Sequence, residues 1–191
     1  VIAMNKRDTT SAVIDNVLNL AITGTALASA LVIPNLLVAL ERPLEKYWKH
    51  LDKRAREREL RRVVTYMKSR DFIRGDYEHG LRISRKGRAR LDKSRITSLK
   101  IPTPKKWDGR WRLIIFDIPE QKKPARNSLN MMLNKLRFYR LQRSVWVHPH
   151  PCRDELIKIT SYYGVESFVS YIETDHIDND KKLRLKFKTI I

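Results

Sequence analysis

The stretch Trp107-Asp108-Gly109-Arg110-Trp111-Arg112-Leu113-Ile114-Ile115-Phe116-Asp117-Ile118-Pro119-Glu120 limits most what this chain can fold into. Arg112, Ile114 and Phe116 alternate with Leu113, Ile115 and Asp117, and Leu113 to Phe116 is continuously apolar. Such a run suits a strand buried on both faces better than a half-exposed one. Asp117 stands at the strand's carboxyl end, just before the break at Ile118-Pro119. A carboxylate there can cap a helix, ligate a metal or do neither, and the choice decides whether the protein is an enzyme.

Downstream, Ala125, Leu129, Met132, Leu133 and Leu136 form an apolar stripe at helical spacing over 122–137. Leu141-Gln142-Arg143-Ser144-Val145-Trp146-Val147 alternates as a strand, and Pro149 and Pro151 stop it. A helix from about Arg153 to Tyr163 ends at Gly164, and a strand over Ser167 to Ile172 closes the unit. The order strand-helix-strand-helix-strand, with an extension or bulge near His148, fits a ferredoxin-like α+β sandwich across 107–191.

The net charge of +19 calls for a polyanionic partner. Most of the excess lies in residues 41–106, with 22 basic against 9 acidic residues. Residues 16–40 carry no charge, a length close to the roughly 20 apolar residues that span a bilayer. Asn16, Asn19, Thr23, Thr25, Ser29 and the break at Pro34-Asn35 favour instead a helix over about 11–32 and a second from about Asn35. Residues 1–40 then join an N-terminal helical domain, and no membrane partner is favoured. Cys152 is the single cysteine, which excludes an intrachain disulfide and suits a reducing, cytoplasmic setting. Met4 reads as the native start.

Residues 43–73 are helical in pattern. On a wheel begun at Arg58, Leu60, Val63, Val64 and Met67 share one face, and Arg58, Arg61, Arg62, Thr65, Lys68 and Ser69 the other. A helix apolar behind and basic in front suits phosphates or a major groove. Two short runs around Gly75-Asp76-Tyr77-Glu78-His79-Gly80 read as a hairpin, and Ser84 can cap a final helix from Arg85. These elements make a winged helix-turn-helix over 41–93, with Arg74, Arg82 and Lys86 as wing contacts to the DNA backbone. Pro102 and Pro104 mark a linker over 94–106.

The Trp107–Glu120 stretch, followed by Leu141 to Val147, resembles the central domain of PaaX-type repressors, in which a winged helix precedes this domain. The same domain is similar to CRISPR-associated protein 2, a ferredoxin-like homodimer. The resemblance covers roughly residues 50–175. The family's C-terminal domain falls outside that span, so its phenylacetyl-coenzyme A ligand is not carried over.

Two functions follow. The first is a homodimeric regulator binding double-stranded DNA, with base contacts from Arg61, Arg62 or Thr65 and no cofactor. The second is a metal-dependent endonuclease or CRISPR adaptation factor with an added DNA-binding domain and an integrase partner. The resemblance would then make Asp117 the catalytic residue and the Mg²⁺ ligand, opposite its copy in a dimer. His148, His150 and Cys152 lack a fourth ligand and read as a proline-rich loop rather than a zinc site.

Overall fold

A computed structural model describes residues 6–23, 33–76, 80–178 and 180–189. The chain splits into two compact units, Val1–Ser94 and Arg95–Ile191.

The first unit is built on three helices, α1 (Lys6–Thr23), α2 (Ile33–Trp48) and α3 (Lys53–Ser69). The uncharged stretch contributes Val17, Leu18 and Leu40 to its core. Val13, Ile14, Val17 and Leu18 of α1 are buried with Leu40, Leu44 and Trp48 of α2 and with Leu60, Val63, Val64 and Met67 of α3. Among the described residues no helix is long and apolar enough to cross a membrane. The helix expected over 11–32 starts earlier, at Lys6, and is described to Thr23; residues 24–32 lie outside the described residues. The second helix, expected from about Asn35, starts at Ile33, with Pro34 next to its start. This proline sits in the first turn of α2, where a missing N–H leaves no hydrogen bond unmade. Pro43 lies inside the same helix, so α2 continues through it to Trp48.

Residues 49–52 join α2 to α3, and Asp52 ends that turn as N-cap, accepting a 2.7 Å hydrogen bond from the Ala55 amide. The buried residues of α3 are the four that the wheel placed on its apolar face. Asp71 then takes a left-handed backbone (φ 56°) that turns the chain into a hairpin. Its strands β1 (Ile73–Asp76) and β2 (Gly80–Ile83) pair antiparallel, with Arg74 opposite Arg82. The expected turn residues Tyr77, Glu78 and His79 lie outside the described residues. Ser84 caps α4 (Arg85–Thr97) as expected, accepting from the Gly87 amide at 2.9 Å and donating to the Asp71 carbonyl.

The second unit runs β3 (Trp111–Phe116), α5 (Lys123–Lys135), β4 (Tyr139–Gln142), β5 (Val145–His148), α6 (Arg153–Tyr163), β6 (Val169–Thr174) and α7 (Asp180–Lys186). The sheet order is β4-β5-β3-β6, antiparallel throughout, so β3 is central. It is covered on both faces, as its apolar run requires. Ile114 and Phe116 pack with Leu129, Met132 and Leu133 of α5 and Leu156 and Ile159 of α6. Trp111 packs on the other face with Val147 and with Leu183 and Phe187 at the end of the chain. Gly164 ends α6 in the left-handed conformation.

Two details differ from expectation. Leu141 to Val147 is not one strand: it folds back at Arg143-Ser144 into the β4–β5 hairpin, giving four strands rather than three. The irregularity expected near His148 sits between Arg140 and Gln142 instead, where the register shifts. The hairpin pairs β5 with β3, and the Ser144 carbonyl accepts from the Phe116 amide at 3.1 Å.

Candidate nucleic-acid interface and the strand-end carboxylate

Packing of α3 on its apolar side leaves Arg58, Arg61, Arg62 and Thr65 exposed, with Lys68 half-buried at their end. Arg61 donates to Glu57 one turn back at 2.7 Å. Both side chains are well exposed, so this pair costs little to exchange for a phosphate. Arg62 is placed differently from its neighbours. It grips Glu59 with two nitrogens, at 2.6 and 2.9 Å, and donates to the Thr10 hydroxyl of α1 at 3.0 Å. The hydrogen bond to Glu59 raises its pKa. Arg62 therefore links α3 to α1 while its side chain stays half-exposed. Arg54 is exposed as well. It lies four residues before Arg58 and extends the stripe Arg58, Arg61, Thr65, Lys68 by a turn; a wheel begun one turn earlier would have found it.

On the hairpin, Arg74 and Arg82 are exposed and directly opposed. Like charges so placed destabilise a strand pair unless something neutralises them. Asp71 does so in part: Arg74 donates to its two oxygens at 2.7 and 2.9 Å, which lowers the Asp71 pKa. Lys86, exposed in the first turn of α4, lies 5.9 Å from the centre of the Phe72 ring. These cations thus belong to the same small unit as the α3 face.

Asp117 is exposed at the end of β3, and its amide donates to the Phe168 carbonyl at 3.1 Å. The helical turn that follows has Pro119 as N-cap with no side-chain hydrogen bond, so Asp117 does not cap it. Its carboxylate lines a cleft of about 640 Å³ shared with Glu120, Lys123, Arg126, Asn127, Asn130, Arg140, Arg143 and Ser144. Glu120 is already engaged, by Lys123 at 3.0 Å and Arg126 at 2.8 Å, and these hydrogen bonds lower its pKa. Among the described residues that line this cleft, the only carboxylate left for a cation is therefore Asp117, and four basic side chains line it too. One chain alone thus offers Mg²⁺ a single free carboxylate among cations, where the ion takes several oxygen ligands and negative charge.

His148, His150 and Cys152 are all buried. The His150 amide donates to His148 Nδ1 at 3.1 Å. Burial pulls His148 down to about 4 and pushes the Cys152 thiol up to about 12. Among the described residues no three histidine, cysteine or acidic side chains gather to hold a metal. His148 ends β5, and His150 and Cys152 lie in the proline-containing loop that follows, packed into the interior.

Arg140 and Arg143 went unrecognised in the sequence. The cleft gathers residues from 116 to 144 through the turn of one hairpin, and no local spacing announces it.

No curated protein matches the chain. Residues 104–185 match the family model described as the PaaX protein central Cas2-like domain. That span contains the central strand β3, the β4–β5 hairpin and both helices packed on them. The second unit of this chain is thus similar to the PaaX central Cas2-like domain over residues 104–185.

Proposed function

We propose that the protein is a PaaX-like transcriptional regulator that binds double-stranded DNA as a homodimer, with the first unit acting as a winged helix-turn-helix. One observation carries this reading. A four-residue turn, 49–52, joins two packed helices, the second is basic on its outer face, and a hairpin with opposed arginines follows. Helix-turn-helix units use turns of that length. The helix after the turn enters the major groove, and the hairpin lies along the backbone. Arg58, Arg61 and Thr65 then face base edges. Lys68, Arg74, Arg82 and Lys86 neutralise phosphates, which position the protein without reading sequence.

For the dimer we assign the sheet face that carries α7. Ile115, Val145 and Ile172 lie on that face by register, and Ile172 is 45% exposed. They stand outside the cluster that Trp111, Val147, Leu183 and Phe187 form there. A twofold pairing of such a patch gives two DNA-binding units matched to a palindromic site.

The nuclease reading has less support, because the cleft around Asp117 is rich in basic side chains. A mobility-shift assay with the full chain and duplex DNA tests the regulator reading. Replacing Arg58 and Arg61 together by alanine should weaken binding at least tenfold with the fold intact. Unchanged binding in that variant contradicts the assignment. Mg²⁺-dependent cleavage that disappears with Asp117→Ala would shift the reading to the enzyme.

A further inference from the structure

The cleft beside Asp117 is concave, and its volume of about 640 Å³ lies in the range of small-molecule sites, roughly 300–1,000 Å³. Its walls come from three places. The end of β3 supplies Phe116 and Asp117. One polar stripe of α5 supplies Lys123, Asn127 and Asn130, with Arg126 beside it. The β4–β5 hairpin supplies Arg140 and Arg143.

The charges within the cleft are not equivalent. Glu120 pairs with both Lys123 and Arg126, offsetting one of their two charges, and Arg126 also donates to the Ile118 carbonyl at 3.2 Å. Arg140 is held without a carboxylate: its guanidinium donates to the Gln142 and Arg143 carbonyls at 3.3 and 2.8 Å and lies 5.7 Å from the centre of the Trp146 ring. The cation is thus positioned by neutral groups and keeps its full charge. Arg143, exposed at the hairpin turn, shares the wall with it. Asn130 Oδ1 is shut off from solvent and has no hydrogen-bond partner among the described residues. An amide in that state can turn over to offer N–H to an incoming acceptor. A guanidinium fork suits a phosphate, whose oxygens accept two parallel hydrogen bonds.

We propose that this cleft binds a small organic phosphate. Arg140 and Arg143 hold its phosphoryl group, and the Asp117 carboxylate accepts from a hydroxyl elsewhere on the same molecule. Asp117 is then a specificity residue for a ligand rather than a metal ligand. The proposal does not depend on the DNA-binding reading of the first unit.

Titration calorimetry on the full chain tests it, with inorganic phosphate and ribose 5-phosphate as probes. Both carry the same anionic group, and only the sugar phosphate offers hydroxyls. Ribose 5-phosphate should bind the more tightly. Arg143→Ala, at an exposed turn, should weaken both probes at least tenfold and leave the circular dichroism spectrum unchanged. Asp117→Asn should abolish the preference for the sugar phosphate, because the amide changes the acceptor pattern. Arg58→Ala in α3 should alter neither probe.

Three results would overturn the proposal. One is failure of both probes to bind at millimolar concentration. Another is equal weakening by Arg58→Ala and Arg143→Ala, which would mean that net charge alone attracts the anion. The third is displacement of the sugar phosphate by a short duplex in wild type but not in Arg143→Ala, which would make the cleft a DNA backbone contact. Loss of duplex binding in the α3 variant with phosphate binding retained separates the two assignments.

Discussion

Gly87 lies against the Phe72 backbone so closely that a Cβ on it would come within 2.0 Å of the Phe72 carbonyl oxygen. That oxygen is already in use, accepting from the Ser84 amide at 3.0 Å. Gly87 therefore sets how near α4 approaches the start of the hairpin. Gly87→Ala must push backbone against backbone, where no side chain can rotate away. We expect a loss of roughly 3 kcal/mol or more, read as a lower midpoint in urea, together with loss of DNA binding as the hairpin shifts.

The second unit should lose stability in two separate pH windows. His148, held at about 4 by burial, stays neutral while the unfolded chain protonates near its ordinary 6.5. Its contribution is complete above that value and declines as pH falls from about 6.5 to about 4, by on the order of 3 kcal/mol. Asp108 titrates lower. The Arg112 guanidinium holds it at about 2 against an ordinary 3.8, so its contribution survives until pH falls below about 4. Thermal denaturation at pH 7, 5 and 3 should show both declines, and His148→Gln should remove the first alone.

Arg112 is buried yet charged. It donates to Asp108 at 2.7 Å, to the Arg110 carbonyl at 2.8 Å and to the Pro149 carbonyl at 2.6 Å. Asp108→Ala leaves this guanidinium without its main counter-charge, with Glu173 3.8 Å from Nε as the remaining acid. Because Asp108 itself is partly exposed, we expect about 1–3 kcal/mol rather than the full cost of a broken buried pair. Urea unfolding of the variant measures it.

Ile172 tests the dimer assignment. Ile172→Glu places a charge on the proposed interface at a position 45% exposed in one chain. Sedimentation should then show a monomer with an unchanged circular dichroism spectrum. A variant that sediments like wild type would remove this sheet face from the interface.

Periodicity revealed what depends on neighbours in sequence. The apolar face of α3, the Ser84 cap, the Gly164 stop and the buried run of β3 all follow from spacings of a few residues. The hairpin at Arg143-Ser144 stayed hidden because alternation runs on through it, and only pairing with β3 reveals the fold-back. The α7 segment (180–186) was missed because seven residues give too little periodicity to read. Arg62 looked equivalent to Arg61 on a wheel, and only the approach of Thr10 sets it apart. Asp117 was identifiable as a strand-end acid, but its basic surroundings come from residues brought together by the fold.

The most direct test is the salt dependence of duplex binding by the full chain. Each phosphate neutralised on B-DNA contributes about 0.9 to the slope of log affinity against log salt. Lys68, Arg74, Arg82 and Lys86 should together give a slope of about −3.6 per subunit, and replacing Arg82 and Lys86 by alanine should reduce it by roughly 2. A slope near zero, or one that the double substitution leaves unchanged, would contradict the assignment of the first unit as the DNA-binding surface.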